Sequence, residues 1–183
     1  SATNTRGEPY ELQSAHLTNW TLAVDTAQDA EGAAIALRPP AELPLNLFRQ
    51  LFRRQMESLA TPTAPGIVLA RRSELQPGVT PAQLLALARD AGLERARLTP
   101  QCVSYRRVSA TGVTRQLYFV LFSIPEYDAF RRRLAPIAAS PFDPAGLSPV
   151  MLTAAEPGFD GWQPVIVDEA ADCVAPITVS NGS

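Results

Sequence analysis

The 183 residues are 46% hydrophobic and 19% charged, enough apolar content to bury a core at the length of one domain. No run approaches the roughly eighteen apolar residues of a membrane helix, and the first residues lack the basic-then-apolar order of a signal peptide, so the sequence as given reads as neither membrane-spanning nor targeted. The net charge of −2 hides a layout: residues 38 to 133 hold fifteen of the sixteen arginines against seven acids, a net of +8, between acidic ends.

Residues 1–14 are polar and without periodicity, and they read as a loose arm before an α+β domain spanning 15–167. From His16 to Val24 one alternating face collects His16, Thr18, Trp20, Leu22 and Val24, the period-two pattern of a half-buried strand. "GAAIALRPP" is a second short strand, stopped by Pro39 and Pro40. In "PLNLFRQLFRRQMESLA" the residues Leu45, Phe48, Phe52, Met56 and Leu59 recur at three and four, with Leu51 beside them, which predicts a helix burying that stripe. "GIVLA" follows as a buried strand.

Thr80, Pro81 and Gln83 spell a capping box for a second helix with Leu84, Leu87, Ala88 and Ala91 inward, and Gly92 stands where it stops. "QCVSYRRVSATGVTRQLYFVLFSI" predicts a hairpin turning at Ala110-Thr111-Gly112. Its second arm, apolar on both faces, should be central and its first arm nearer an edge. Ser123 and Glu126 read as another capping box, opening a helix with Tyr127, Phe130, Leu134 and Ile137 inward and Arg131, Arg132 and Arg133 largely outward. After a turn-rich lead-in comes the strand "VMLTA", then a further apolar run at Val165–Val167 and an acidic tail over 168–183. The sum is an α+β domain with three main helices on a largely antiparallel sheet, in two loosely similar halves that each end with a helix, a Pro-rich turn and a short apolar strand.

Few residues offer chemistry. His16 is the single histidine, and with Thr18 it is the one candidate pair for acid-base or hydrolytic work. No ordered set of His, Cys or carboxylate suggests a metal, and no Gly-rich phosphate loop suggests a nucleotide, so neither metal nor cofactor is expected. Arg71-Arg72 and Arg106-Arg107 are anion-binding candidates, because neighbours on a strand point to opposite faces and one of each pair can face a cleft. Tyr105, Tyr118 and Tyr127 could stack a base, but they suit core positions equally well and give no strong nucleic-acid signal. Cys102 and Cys173 are expected to lie close enough to pair if the C-terminal segment docks on the hairpin's first arm; two cysteines alone leave a periplasmic or secreted location and a cytoplasmic one equally open.

From about Leu45 to Trp162 the order of elements resembles the two-histidine (2H) phosphoesterase superfamily. "PGIVLARRSEL" resembles its first motif strand, and "FDPAGLSPVMLTAA" its second. The resemblance implies a two-lobed sandwich in which each lobe contributes a strand with His-x-Thr or His-x-Ser to one cleft, the histidines acting as general acid and base on a phosphodiester. Laid on this sequence the histidine positions are Gly66 and Val150 and the hydroxyl positions Val68 and Leu152, all four inert. The expectation is a non-catalytic binding or interaction domain, with an anionic ligand or a protein as partner. The alternatives are a phosphoesterase or other hydrolase using His16, and a structural partner domain of a secreted or envelope assembly.

Overall fold

The computed structural model describes residues 7–25, 32–56, 58–62, 64–110, 112–155 and 172–181. Among them run β1 (Tyr10–Gln13), β2 (Thr21–Val24), β3 (Ala33–Arg38), α1 (Glu42–Gln55), β4 (Ile67–Arg71), α2 (Pro81–Asp90), β5 (Thr99–Ala110), β6 (Val113–Ser123), α3 (Pro125–Arg133), β7 (Val150–Ala155) and β8 (Cys173–Ser180). The strands form one sheet in the order β1-β8-β5-β6-β7-β4-β3-β2, antiparallel throughout except for β1 beside β8. The fold is therefore α+β with a mostly antiparallel sheet, as expected.

Two units of the same kind build the centre. In the first, the β2/β3 hairpin leads through α1 to β4, which pairs antiparallel with β3. In the second, the β5/β6 hairpin leads through α3 to β7, which pairs antiparallel with β6. β4 and β7 then meet antiparallel through Ile67 and Met151, so the sheet reads alike outward from that pair in both directions.

Strand alternation sorts the apolar residues onto two faces. One face joins Ile67, Leu69, Val120, Phe122 and Met151 to Leu43, Leu47 and Leu51 of α1, Leu84 and Ala88 of α2 and Tyr127 and Phe130 of α3. The other face carries a smaller buried cluster drawn from strands alone, with Leu117, Phe119, Leu121, Val150, Leu152 and the two cysteines. Trp20 meets Phe122 edge to face at 5.5 Å and donates its indole N–H to the His16 carbonyl oxygen at 2.9 Å.

The local signals hold where they are strong. Thr80 and Gln83 form the reciprocal capping box, and Gly92 takes φ 87° after α2, a conformation open to glycine at no steric cost. Gly112 takes φ 78° in the hairpin turn.

Other expectations are corrected. The strand foreseen from His16 is confined to Thr21–Val24, because residues 14–17 close a 3-10 turn and Asn19 takes φ 63°. Residues 10–13, foreseen as part of a loose arm, form β1 with Tyr10 and Leu12 buried, since β8 supplies a partner 167 residues away for Tyr10 at Ile177. Ser123 ends β6, so α3 is capped at Ile124 without a side-chain bond, and Pro125 opens it. β5 lies one strand nearer an edge than β6, as expected, yet it is interior, with β8 on its open side. Part of the foreseen acidic tail is thus a sheet strand; its residues 168–171 and 182–183, and the run at Val165–Val167, lie outside the described residues.

α1 buries a different stripe from the one foreseen. Leu43, Leu47 and Leu51, at i, i+4 and i+8, face the core with Pro44, while Leu45, Phe52 and Met56 are exposed. The helix is apolar on two sides, and spacing alone does not choose between them.

Candidate functional site

The β4/β7 pair sets the geometry of the central site. With Ile67 opposite Met151, Gly66 stands across from Leu152 and Val68 across from Val150, all on the face away from the helices. These four positions, with Phe119, Leu147 and Ser148, line one concavity of about 20 Å³. That is space for about one water, not for a phosphodiester.

The concavity is apolar and tight. Val68, Val150 and Leu152 are buried, and Gly66 faces occupied space: a Cβ there would stand 3.0 Å from the Leu37 carbonyl oxygen and 3.5 Å from the Arg38 guanidinium. Arg38 is fixed in that place because it donates to the Ala64 carbonyl oxygen at 2.6 Å and to that of Pro65 at 3.3 Å. No group that titrates near neutrality lines the concavity. Thr153, which a one-residue shift would bring in, is buried outside the lining and donates weakly to the Met151 carbonyl oxygen at 3.4 Å.

His16 and Thr18 sit elsewhere, at the 3-10 turn between β1 and β2, both half-buried. Their neighbour Leu17 belongs to the helix-side core, on the opposite face from Gly66 and Val150. The four arginine candidates do not converge. Arg71 ends β4 and Arg72 opens the 3-10 turn after it, whereas Arg106 and Arg107 lie on β5, three strands over in the sheet. Arg72 donates to the Asp25 carbonyl oxygen, and Arg71 has its Nε 3.8 Å from Glu74 Oε1. Arg106 pairs with Asp172 at 2.6 Å, tying β5 to the residue before β8, and Arg107 is exposed.

The strongest electrostatic feature was not foreseen. Arg131 is 1% exposed, although Arg132 and Arg133 do lie outward. It meets Glu74 in a two-pronged ion pair, Nη1 to Oε1 at 2.9 Å and Nη2 to Oε2 at 2.6 Å. Its remaining N–H groups go to the carbonyl oxygens of Leu69, Pro144 and Asp143. Burial alone would raise the Glu74 carboxyl, but the Arg131 hydrogen bond, the Arg71 backbone N–H and the two guanidinium charges outweigh it and hold Glu74 below its ordinary value. Nearby, burial pushes the Tyr127 phenol far up, and its hydroxyl donates to the Leu147 carbonyl oxygen at 2.7 Å. The sequence held a signal for Arg131: one residue after Phe130 and four after Tyr127, it falls inside the apolar stripe of α3.

Cys102 and Cys173 form a disulfide with Cα atoms 5.8 Å apart, joining β5 to β8. Among the described residues no group of three or more His, Cys, Asp or Glu is placed to hold a metal ion, and no helix is long and apolar enough to cross a membrane. No protein-family model, curated protein or solved structure matches the chain.

Proposed function

We propose that the protein is a non-catalytic interaction domain built on a frame like that of the 2H phosphoesterases, with the reacting residues replaced by inert ones. One observation carries this reading: the two like units meet at β4 and β7, and the positions there that would hold two histidines and two hydroxyls are Gly66, Val150, Val68 and Leu152 around about 20 Å³ of apolar space. General acid-base catalysis needs a group within hydrogen-bond reach of the proton it moves, and this lining offers none. The Cys102–Cys173 bridge suits an oxidising compartment, consistent with a role outside the cytosol.

The test is an assay with nucleoside 2′,3′-cyclic phosphates on the full chain and on His16→Ala. The expected result is no turnover by either. Turnover that His16→Ala abolishes would overturn the reading in favour of a hydrolase.

A further inference from the structure

α1 is the element whose exposure its fold does not explain. Its buried side, Leu43, Leu47 and Leu51, anchors it to the sheet. On the other side Leu45 is 49% exposed, Phe52 45% and Met56 75%, with Phe48 half-buried and stacked on Phe52 at 6.1 Å between ring centroids. Positions 45, 48 and 52 recur at three and four, so this second stripe covers two turns of the helix, about 10 Å at the α-helical rise, and the exposed Met56, which ends the helix in a left-handed conformation, stands just beyond it. An outward helix face is ordinarily polar. The surface is also concave at two places: a groove of about 380 Å³ where Pro39, Leu45 and Pro62 meet beside Arg38, and another of about 360 Å³ among Phe48, Arg49, Phe52 and Arg53.

Beyond the first turn of α1, one charge sign borders the stripe. Arg49 and Arg53, four residues apart, are exposed along one flank, and among the described residues neither is held in an ion pair. The third arginine of the helix, Arg54, lies further round the helix toward β1 and is occupied there, over the Tyr10 ring and bonded to the Glu8 and Pro9 carbonyl oxygens. The one acid of α1, Glu42, stands in its first turn.

We propose that the outward face of α1 docks an amphipathic helix of a partner protein whose apolar stripe is flanked by acids about one turn apart; this rests on the reading of the protein as an interaction domain. The apolar stripe meets Leu45, Phe48, Phe52 and Met56, the acids pair with Arg49 and Arg53, and the two grooves receive side chains projecting from the partner. A second copy of this chain is the poorer occupant. Two identical α1 helices packed antiparallel about a two-fold axis set like flank against like flank, which brings Arg49 and Arg53 against their own copies. A bilayer surface is the poorer occupant too, since the grooves suit protruding side chains rather than a plane of headgroups.

The experiment uses the full chain and a designed helical peptide of about four turns, apolar on one stripe with glutamates one turn apart beside it, together with a counterpart carrying lysines in their place. Anisotropy titration is expected to show binding of the glutamate peptide that weakens with added salt, and little binding of the lysine peptide. Arg49→Glu with Arg53→Glu should weaken the glutamate peptide about tenfold or more and strengthen the lysine peptide; Phe52→Asp should weaken both. All three residues are exposed, so unchanged thermal midpoints confirm that the variants fold.

Equal affinity for the two peptides, or none for either, overturns the proposal. So does tighter binding to phosphatidylserine-containing vesicles than to the glutamate peptide, or a self-associated state that Phe52→Asp disperses. Turnover of cyclic phosphates would remove the non-catalytic reading yet leave this surface standing, so the two failures are told apart.

Discussion

Arg131 and Glu74 hold the two halves of the molecule to each other. Glu74 closes the 3-10 turn that follows β4, and Arg131 stands on α3, which leads to β7. Through the Asp143 and Pro144 carbonyl oxygens the same guanidinium fixes the approach to β7, so one side chain positions both central strands. With every N–H of the guanidinium engaged, the desolvation cost of burying it is offset by bonds that only this arrangement supplies.

Removing one partner strands the other. Arg131→Met is expected to lower stability by about 3–5 kcal/mol, because Glu74 remains nearly buried without its cation. Denaturant titration of the two proteins measures it, and a loss well below 1 kcal/mol would mean that the pair contributes nothing net.

The pH dependence follows from the depressed Glu74 carboxyl. A carboxyl held below its unfolded value stabilises the fold fully above the unfolded pKa of about 4.3, and loses that contribution as pH falls through its folded value. The stability gap between the natural chain and Glu74→Gln should therefore be largest near neutrality and shrink below about pH 4. A gap that grows on acidification contradicts the sign.

The bridge between Cys102 and Cys173 spans a sequence separation of 71 and should stabilise by roughly 4 kcal/mol on the chain-entropy account. For a chain of this length that is a fall of roughly 10 °C in thermal midpoint on reduction or in the Cys102→Ala, Cys173→Ala variant. Scanning calorimetry with and without reductant reads it directly.

Leu47→Ala and Leu45→Ala differ by two residues on one helix and should differ sharply in effect. Leu47 is 1% exposed and its truncation should cost about 2–5 kcal/mol, whereas Leu45→Ala should stay within about 1 kcal/mol. A larger loss for Leu45→Ala than for Leu47→Ala would mean that α1 is turned the other way.

Gly66→Ala places a methyl group 3.0 Å from the Leu37 carbonyl oxygen, a backbone atom that cannot swing aside. A loss of about 1–3 kcal/mol is expected, in line with overpacked sites. A histidine at this position would meet the same obstacle with a larger group. A neutral or stabilising Gly66→Ala would show that the Leu37 strand yields.

These residues also mark what a sequence makes legible. The Thr80 capping box, the hairpin turn and the inward face of α3 are local patterns, and each formed where it was foreseen. The pairing of Ile67 with Met151 joins strands far apart in the sequence, and no local pattern in either strand states it. α1 failed because its two apolar stripes are equivalent to any periodicity argument, and only the tertiary neighbours decide which is buried. β1 failed because four residues of alternation say little until β8 is there to pair with. Arg131 was hidden among three consecutive arginines, where composition points outward and geometry selects one of them.

β1 and β8 run side by side in the same direction, with Gly7 bonded to the Val174 carbonyl oxygen at one end and Gln13 level with Ser180 at the other. A tension applied between residue 7 and residue 181 therefore pulls the two strands along their length in opposite senses. Every backbone bond of the pair is loaded together, instead of one after another as when a hairpin is unzipped. Behind that pair, the sulfur bridge prevents β8 from leaving β5. The domain should thus behave as a mechanical clamp when stretched between those points, resisting forces that would peel an ordinary sheet edge apart.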